Sequence, residues 1–191
     1  GHLFHQFLAP RSNIRQDEYG GDLAGRTRLL RELIAAIRAE CGGGFLIGLK
    51  LPAEDDCANG IDLAEAEAIT RAIHATGEMD YLTYCWGSHS DSLYRHLPDN
   101  HGKRVPYAAA ITRLGRAAAP DVPLGALGLI TDPNEGERLI ASGEAELVML
   151  ARPFVTDAAW GAKARDGREA EIRYCVSCNT CWHMITTGRG L

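Results

Sequence analysis

The chain has 191 residues, 46% of them hydrophobic and 24% charged, with a formal charge of −5 at pH 7. That length supports one substantial core, and the acidic balance gives no electrostatic reason to expect nucleic acid or an anionic membrane surface as a partner. No apolar run approaches the roughly 20 residues of a transmembrane helix, and no signal-peptide pattern opens the chain, which begins without Met. Isolated Cys41, Cys57 and Cys85 read as buried thiols rather than a disulfide framework, which points to a reducing, cytoplasmic setting.

Along the chain, helical periodicity alternates with short apolar runs. Residues 25–40 place Leu29, Leu30, Leu33, Ile34 and Ile37 on one helical face, and Gly42 to Gly44 supply the stop. A buried strand is predicted over 45–51, followed by a helix capped by Asp62 that runs to about Ala75, and by a strand over 81–85. A helix over 107–118 and a strand over 122–127 follow. Thr131-Asp132-Pro133 opens the next helix with proline in its first turn, and Gly143 closes it. The pattern ends with a strand over 146–150 and a helix over 157–166 stopped by Gly167. Strands alternating with helices imply parallel pairing through right-handed crossovers. Four such units are too few for an eight-fold barrel, which takes about 250 residues. The expected fold class is therefore α/β, either a small open sheet or part of a (β/α)8 barrel. A boundary is expected near Tyr174, separating 1–173 from a cysteine-bearing segment over 174–191.

That segment holds the densest chemistry. Cys175, Cys178 and Cys181 place three of the six cysteines in seven residues, each separated from the next by two. Three soft thiolates on one short loop suit a 4Fe–4S cluster, which takes four. Zinc is the alternative, although closed zinc sites usually draw on two separate pairs. His183 is a conceivable fourth ligand, and a fourth cysteine could equally lie beyond Leu191.

The run Gln6-Phe7-Leu8-Ala9-Pro10, Asn13, Arg15, Asp17-Glu18-Tyr19-Gly20-Gly21 and Arg26 resembles the Old Yellow Enzyme superfamily. Thr131-Asp132-Pro133, Ala151-Arg152-Pro153-Phe154, and Glu171-Ile172-Arg173 before Cys175 follow in that family's order. The resemblance covers essentially the whole chain and is nearest to the iron–sulfur branch that contains trimethylamine dehydrogenase and 2,4-dienoyl-CoA reductase. It implies an FMN-binding TIM barrel, of which this chain carries roughly the second half and the start of the cluster segment. The implied activity is hydride transfer through flavin N5, either NAD(P)H-dependent reduction of an activated C=C bond or oxidative demethylation of an amine. A small-molecule substrate is expected, with room for a homo-oligomer or an electron-transfer partner. The rival reading is a truncated, non-catalytic or zinc-binding α/β protein.

Barrel chemistry lies at the C-terminal ends of the strands, and the candidates follow from that. Lys50 is expected to end the first strand and to stabilise the anionic edge of a reduced flavin, where the family usually has Arg. Gly128 and Leu129 after the third strand, and Ala151 and Arg152 after the fourth, are expected to hold the FMN phosphate; Leu129 stands where relatives commonly have Arg. His89 matches the position of a proton-donating His in dienoyl-CoA reductase relatives. His2 stands where several relatives have Tyr. Tyr84, Trp86 and Tyr94 could line a substrate pocket, His74 is expected at the surface, and the stretch from Asn13 to Arg26 is expected to brace a long loop.

Overall fold

A computed structural model describes residues 2–87 and 107–188. Its centre is a sheet of four parallel strands, β1 (Gly48–Glu54), β2 (Tyr81–Trp86), β3 (Leu124–Leu127) and β4 (Leu147–Met149), ordered as they occur in the chain. Helices α1 (Leu3–Leu8) and α2 (Leu23–Cys41) precede the sheet. Then α3 (Leu63–His74), α4 (Tyr107–Ala118) and α5 (Pro133–Ala141) connect successive strands. Two short helices, α6 (Arg152–Thr156) and α7 (Trp160–Arg165), follow β4, and α8 (Thr180–Thr186) carries the last cysteine.

The helices start where local chemistry allows. Asp22, Asp62 and Asp132 each turn a carboxylate onto the first-turn amides, accepting from the N–H of Gly25, Glu65 and Asn134 at 2.9, 2.8 and 2.9 Å. Each such cap contributes about 1 kcal/mol by satisfying an orphan donor. Side chains on a strand alternate between faces, and here one face belongs to the helices. Leu51, Ala53, Leu82, Tyr84 and Leu124 are buried in one core with Ile34 of α2, Ile69 and Ile73 of α3, and Leu114 of α4. Gly136 of α5 backs onto Val148 of β4. Each fully buried Leu or Ile contributes about 1.5–3 kcal/mol. Sequential parallel strands with helices along one face are the winding of a barrel, not of a doubly wound sheet. The opposite, concave face carries Lys50, Thr83, Cys85, Leu127 and Met149.

The loop before α2 is held from inside. Asn13 donates from Nδ2 to the carbonyls of Phe7 and Tyr19, both at 2.7 Å. Buried Arg26 donates to the carbonyls of Leu8 and Gly21 and pairs with Glu65. Gly20 lets the backbone close, because a Cβ there would stand 2.2 Å from the Arg15 carbonyl oxygen.

The first strand departs from expectation. It runs over Gly48–Glu54, three residues later than periodicity predicts, and Phe45 and Leu46 stand outside it, exposed. The register is set across strands. Asp80 accepts the Ile47 N–H at 2.7 Å and donates its own N–H to Ile47 O at 2.9 Å, so pairing begins with Gly48 beside Tyr81. The strand continues through Pro52 because the register shifts between Pro52 and Glu54, an irregularity at which a missing N–H is tolerated. The helix expected over 157–166 starts only at Trp160, since Asp157 instead receives the Ala159 N–H. All six cysteines are free; Cys57 and Cys85 are partly buried, and the expectation of a buried thiol fails at Cys41, which is exposed. Tyr84 is a core residue whose hydroxyl bonds Thr70 Oγ1 at 2.8 Å, and burial pushes its pKa well up.

Candidate functional site

At the C-terminal end of the sheet the concave face opens into a cavity of about 470 Å³. Strand and loop residues Lys50, Cys85, Trp86, Leu127, Gly128 and Leu129 form one part of its wall. Met149, Ala151 and Arg152 form another, and Cys175, Ser177, Cys181, Trp182 and Ile185 close it from the cysteine segment. Five of the cofactor candidates and two of the three cysteines thus face one space. His89 and Tyr94 lie outside the described residues. His2 is exposed as the N-cap residue of α1 and is not among the lining residues. His74 is partly exposed and bonds Asp121 at 2.7 Å.

Lys50 does not end its strand. It sits third of seven residues, mid-strand on the concave face, because β1 runs on through Pro52, Ala53 and Glu54. Its ammonium acts on Cys85, two residues further along β2 than its partner Thr83. Burial pushes the Cys85 thiol up, and the Lys50 charge works in the opposite sense.

After β3 the backbone bends sharply: Gly128 takes φ 111° and Leu129 φ 51°. Glycine adopts such angles freely, whereas a leucine held there costs about 1–2 kcal/mol. After β4, Arg152 opens α6 half-buried and donates from Nη1 to Asn179 Oδ1 at 2.6 Å. Two cations, Lys50 and Arg152, in one lining with a sharply turned backbone suit a ligand that carries an anionic ring edge and a phosphate. FMN is such a ligand.

The cysteine segment is anchored before it begins. Asp157, 2% exposed, accepts from Lys163 Nζ at 2.6 Å and from the Arg173 N–H at 3.0 Å, two residues before Cys175. Lys163 also donates to the Glu171 carbonyl at 2.9 Å. The Lys163 ammonium and the amide donors hold the Asp157 carboxyl down to about 2. Ser177 and Asn179 both take left-handed φ, at 56° and 58°, which doubles the loop back between its cysteines. The Thr180 hydroxyl bonds Cys178 Sγ at 3.3 Å and draws that thiol below its ordinary value. The donor chemistry fits a cluster, with three free thiols on one loop, but the sulfurs are not gathered. Among the described residues, no three His, Cys, Asp or Glu side chains are close enough to hold a metal ion. His183 is exposed on α8 and completes no such group.

Sequence reasoning missed Asp157, Asn179 and the lining residues Trp182 and Ile185. Asp157 reads locally as a helix start, and its partners lie 6 and 16 residues away. The readable signal for Asn179 was its place between Cys178 and Cys181, since Asn is among the few residues that tolerate left-handed φ.

Similar proteins share this architecture. The chain is 31% identical over 186 residues to an NADH oxidase of Thermoanaerobacter brockii, covering 94% of this chain and 27% of that protein. It is 30% identical over 183 residues to an N,N-dimethylglycine/sarcosine dehydrogenase of Chromohalobacter salexigens, covering 94% and 26%. A solved 2-naphthoyl-CoA reductase, bound to 2-naphthoyl-CoA, superposes with a TM-score of 0.91 at 23% identity, over 99% of this chain and 28% of that one. The last likeness shows the fold alone, and in all three the chain spans about a quarter of the relative's length. No helix among the described residues is long and apolar enough to cross a membrane. Residues 1–171 match the NADH:flavin oxidoreductase / NADH oxidase family, and the chain belongs to that family.

Proposed function

We propose that this chain forms part of an FMN-dependent oxidoreductase that also carries a 4Fe–4S cluster and takes electrons from, or passes them toward, a small-molecule substrate. The observation that carries the reading is the single cavity shared by Lys50, Gly128, Leu129, Ala151, Arg152, Cys175 and Cys181. Bound FMN supplies hydride chemistry at N5, and a cluster supplies one-electron transfer to a remote donor or acceptor.

In this reading Lys50 faces the flavin from the sheet and favours negative charge on its reduced ring. The guanidinium of Arg152 and the turned backbone at Gly128 and Leu129 hold the phosphate. Cys175, Cys178 and Cys181 supply three of four cluster thiolates, with the fourth ligand outside the described residues. We assign proton transfer to His89 on residue type and chain position, since imidazole titrates near neutrality. The apolar lining, with Leu127, Met149, Trp182 and Ile185, keeps water from the reacting groups. Two substrate classes fit: an activated alkene reduced at the expense of NAD(P)H, and an N-methylated amine that is oxidised. The similarity to a dimethylglycine/sarcosine dehydrogenase supports the second, and an imidazole at His89, suited to protonating a reduced alkene, favours the first.

The test is the composition of the purified full-length protein. Flavin absorbance with extractable FMN, together with iron and acid-labile sulfide in equal amounts, is expected. Zinc without iron, or a colourless protein, overturns the reading. Turnover of an N-methyl amino acid against an enoyl-CoA then separates the two substrate classes.

A further inference from the structure

Asn179 occupies the N-cap position of α8 but makes no side-chain cap hydrogen bond to its own helix. A capping Asn normally accepts a first-turn N–H, a contact worth about 1 kcal/mol. Here the carboxamide oxygen is turned instead to Arg152, accepting from Nη1 at 2.6 Å across 27 residues of chain. The left-handed backbone at Asn179, φ 58°, aims it there. A guanidinium presents its N–H donors in a rigid planar fork, so the bond to Asn179 restrains the plane of the Arg152 group, which lines the cavity. The residue that receives this bond lies between Cys178 and Cys181, inside the cysteine loop itself.

We propose that Asn179 is a positioning residue that couples the cysteine loop to the cavity cation: the folded loop holds Arg152 in the orientation that receives a phosphate-bearing cofactor. This rests on the reading of Arg152 as the phosphate cation. When the loop is disordered, Arg152 loses this restraint and phosphate affinity drops. Linkage makes the effect reciprocal, so cofactor on Arg152 also orders the cysteine loop. Filling of the two cofactor sites is thereby cooperative.

The experiment measures FMN affinity by quenching of flavin fluorescence in the full-length enzyme. Wild type, Asn179→Gly, Asn179→Asp, Arg152→Ala and the Asn179→Gly/Arg152→Ala double variant are compared. Glycine removes the side chain while accepting φ 58°, so the variant keeps its fold. Asn179→Gly is expected to weaken FMN about tenfold, as loss of one hydrogen bond to a charged group does. Asn179→Asp retains an acceptor oxygen and restores affinity, and the double variant binds no more weakly than Arg152→Ala alone. Protein stripped of iron by a chelator shows the same loss as Asn179→Gly. If Arg152→Ala weakens FMN while Asn179→Gly and iron-stripped protein bind as wild type does, the coupling is overturned and the reading of Arg152 survives. If Arg152→Ala binds FMN as tightly as wild type, both fall together.

Discussion

Asp157 shows how one buried carboxylate can organise a functional segment. Its oxygens serve Lys163, the Ala159 amide and the Arg173 amide together, which ties the end of α6 to the start of the cysteine loop. Its pKa in the folded protein, about 2, lies below the ordinary 3.8. A depressed carboxylate stabilises the fold fully above the unfolded value, and that stabilisation is lost as pH falls through the folded value. The contribution of Asp157 is therefore complete above pH 3.8 and fades towards pH 2. Asp157→Asn in the full-length protein should lower the melting temperature at pH 6, with the gap to wild type closing across that window; a gap independent of pH would reject the assignment. Lys50 makes a second prediction at this scale. If its ammonium favours the anionic reduced flavin, Lys50→Met lowers the flavin potential by about 30 mV for each 1.4 kcal/mol of lost attraction. Spectroelectrochemical titration of the two proteins reads that shift, and equal potentials would remove Lys50 from the flavin's surroundings.

At the scale of elements, β1 separates what sequence can show from what it cannot. The caps Asp62 and Asp132 were readable because a cap is made within three residues of itself, whereas the helix expected from residue 25 in fact begins at Leu23 behind Asp22. The cysteine motif was readable for the same reason: its spacing is local. The start of β1 was not, since Asp80 and Tyr81, more than thirty residues on, choose Gly48 over Phe45 as the first paired residue. The Arg152–Asn179 contact was hidden likewise, with neither residue marking the other in sequence. The register argument makes a prediction. A Cβ on Gly48 would fall 1.8 Å from Tyr81 Cζ, so the ring must move if alanine is placed there. Gly48→Ala should destabilise by about 1–3 kcal/mol, the usual cost of overpacking. Tyr81→Ala in the same chain should recover part of that loss, as expected for residues in direct contact. Denaturant midpoints of the two single variants and the double variant decide it, and simple additivity would mean that Gly48 is required for another reason.

On the scale of the whole molecule, β1 and β4 are edges unpaired among the described residues, and the concave face would meet further strands in a closed barrel. Phe45, Leu46, Leu147 and Val155 are all more than 40% exposed. Residues 1–191 expressed alone should therefore self-associate or melt without a sharp transition, as light scattering and calorimetry would show. A monomer with a cooperative transition would mean that these surfaces need no cover. The cysteine segment has a different kind of economy. It is moored at Arg173 to Asp157 and at Asn179 to Arg152, and five residues lie between these two moorings. A tether that short has almost no slack, so motion at one mooring is felt at the other. Lengthening it would cost little, because each doubling of a flexible loop adds only about 0.6 kcal/mol of closure entropy. Two glycines inserted after Tyr174 would leave the barrel wall standing while uncoupling the cysteine loop from it mechanically. The brevity of this tether serves the transmission of position more than the stability of the fold.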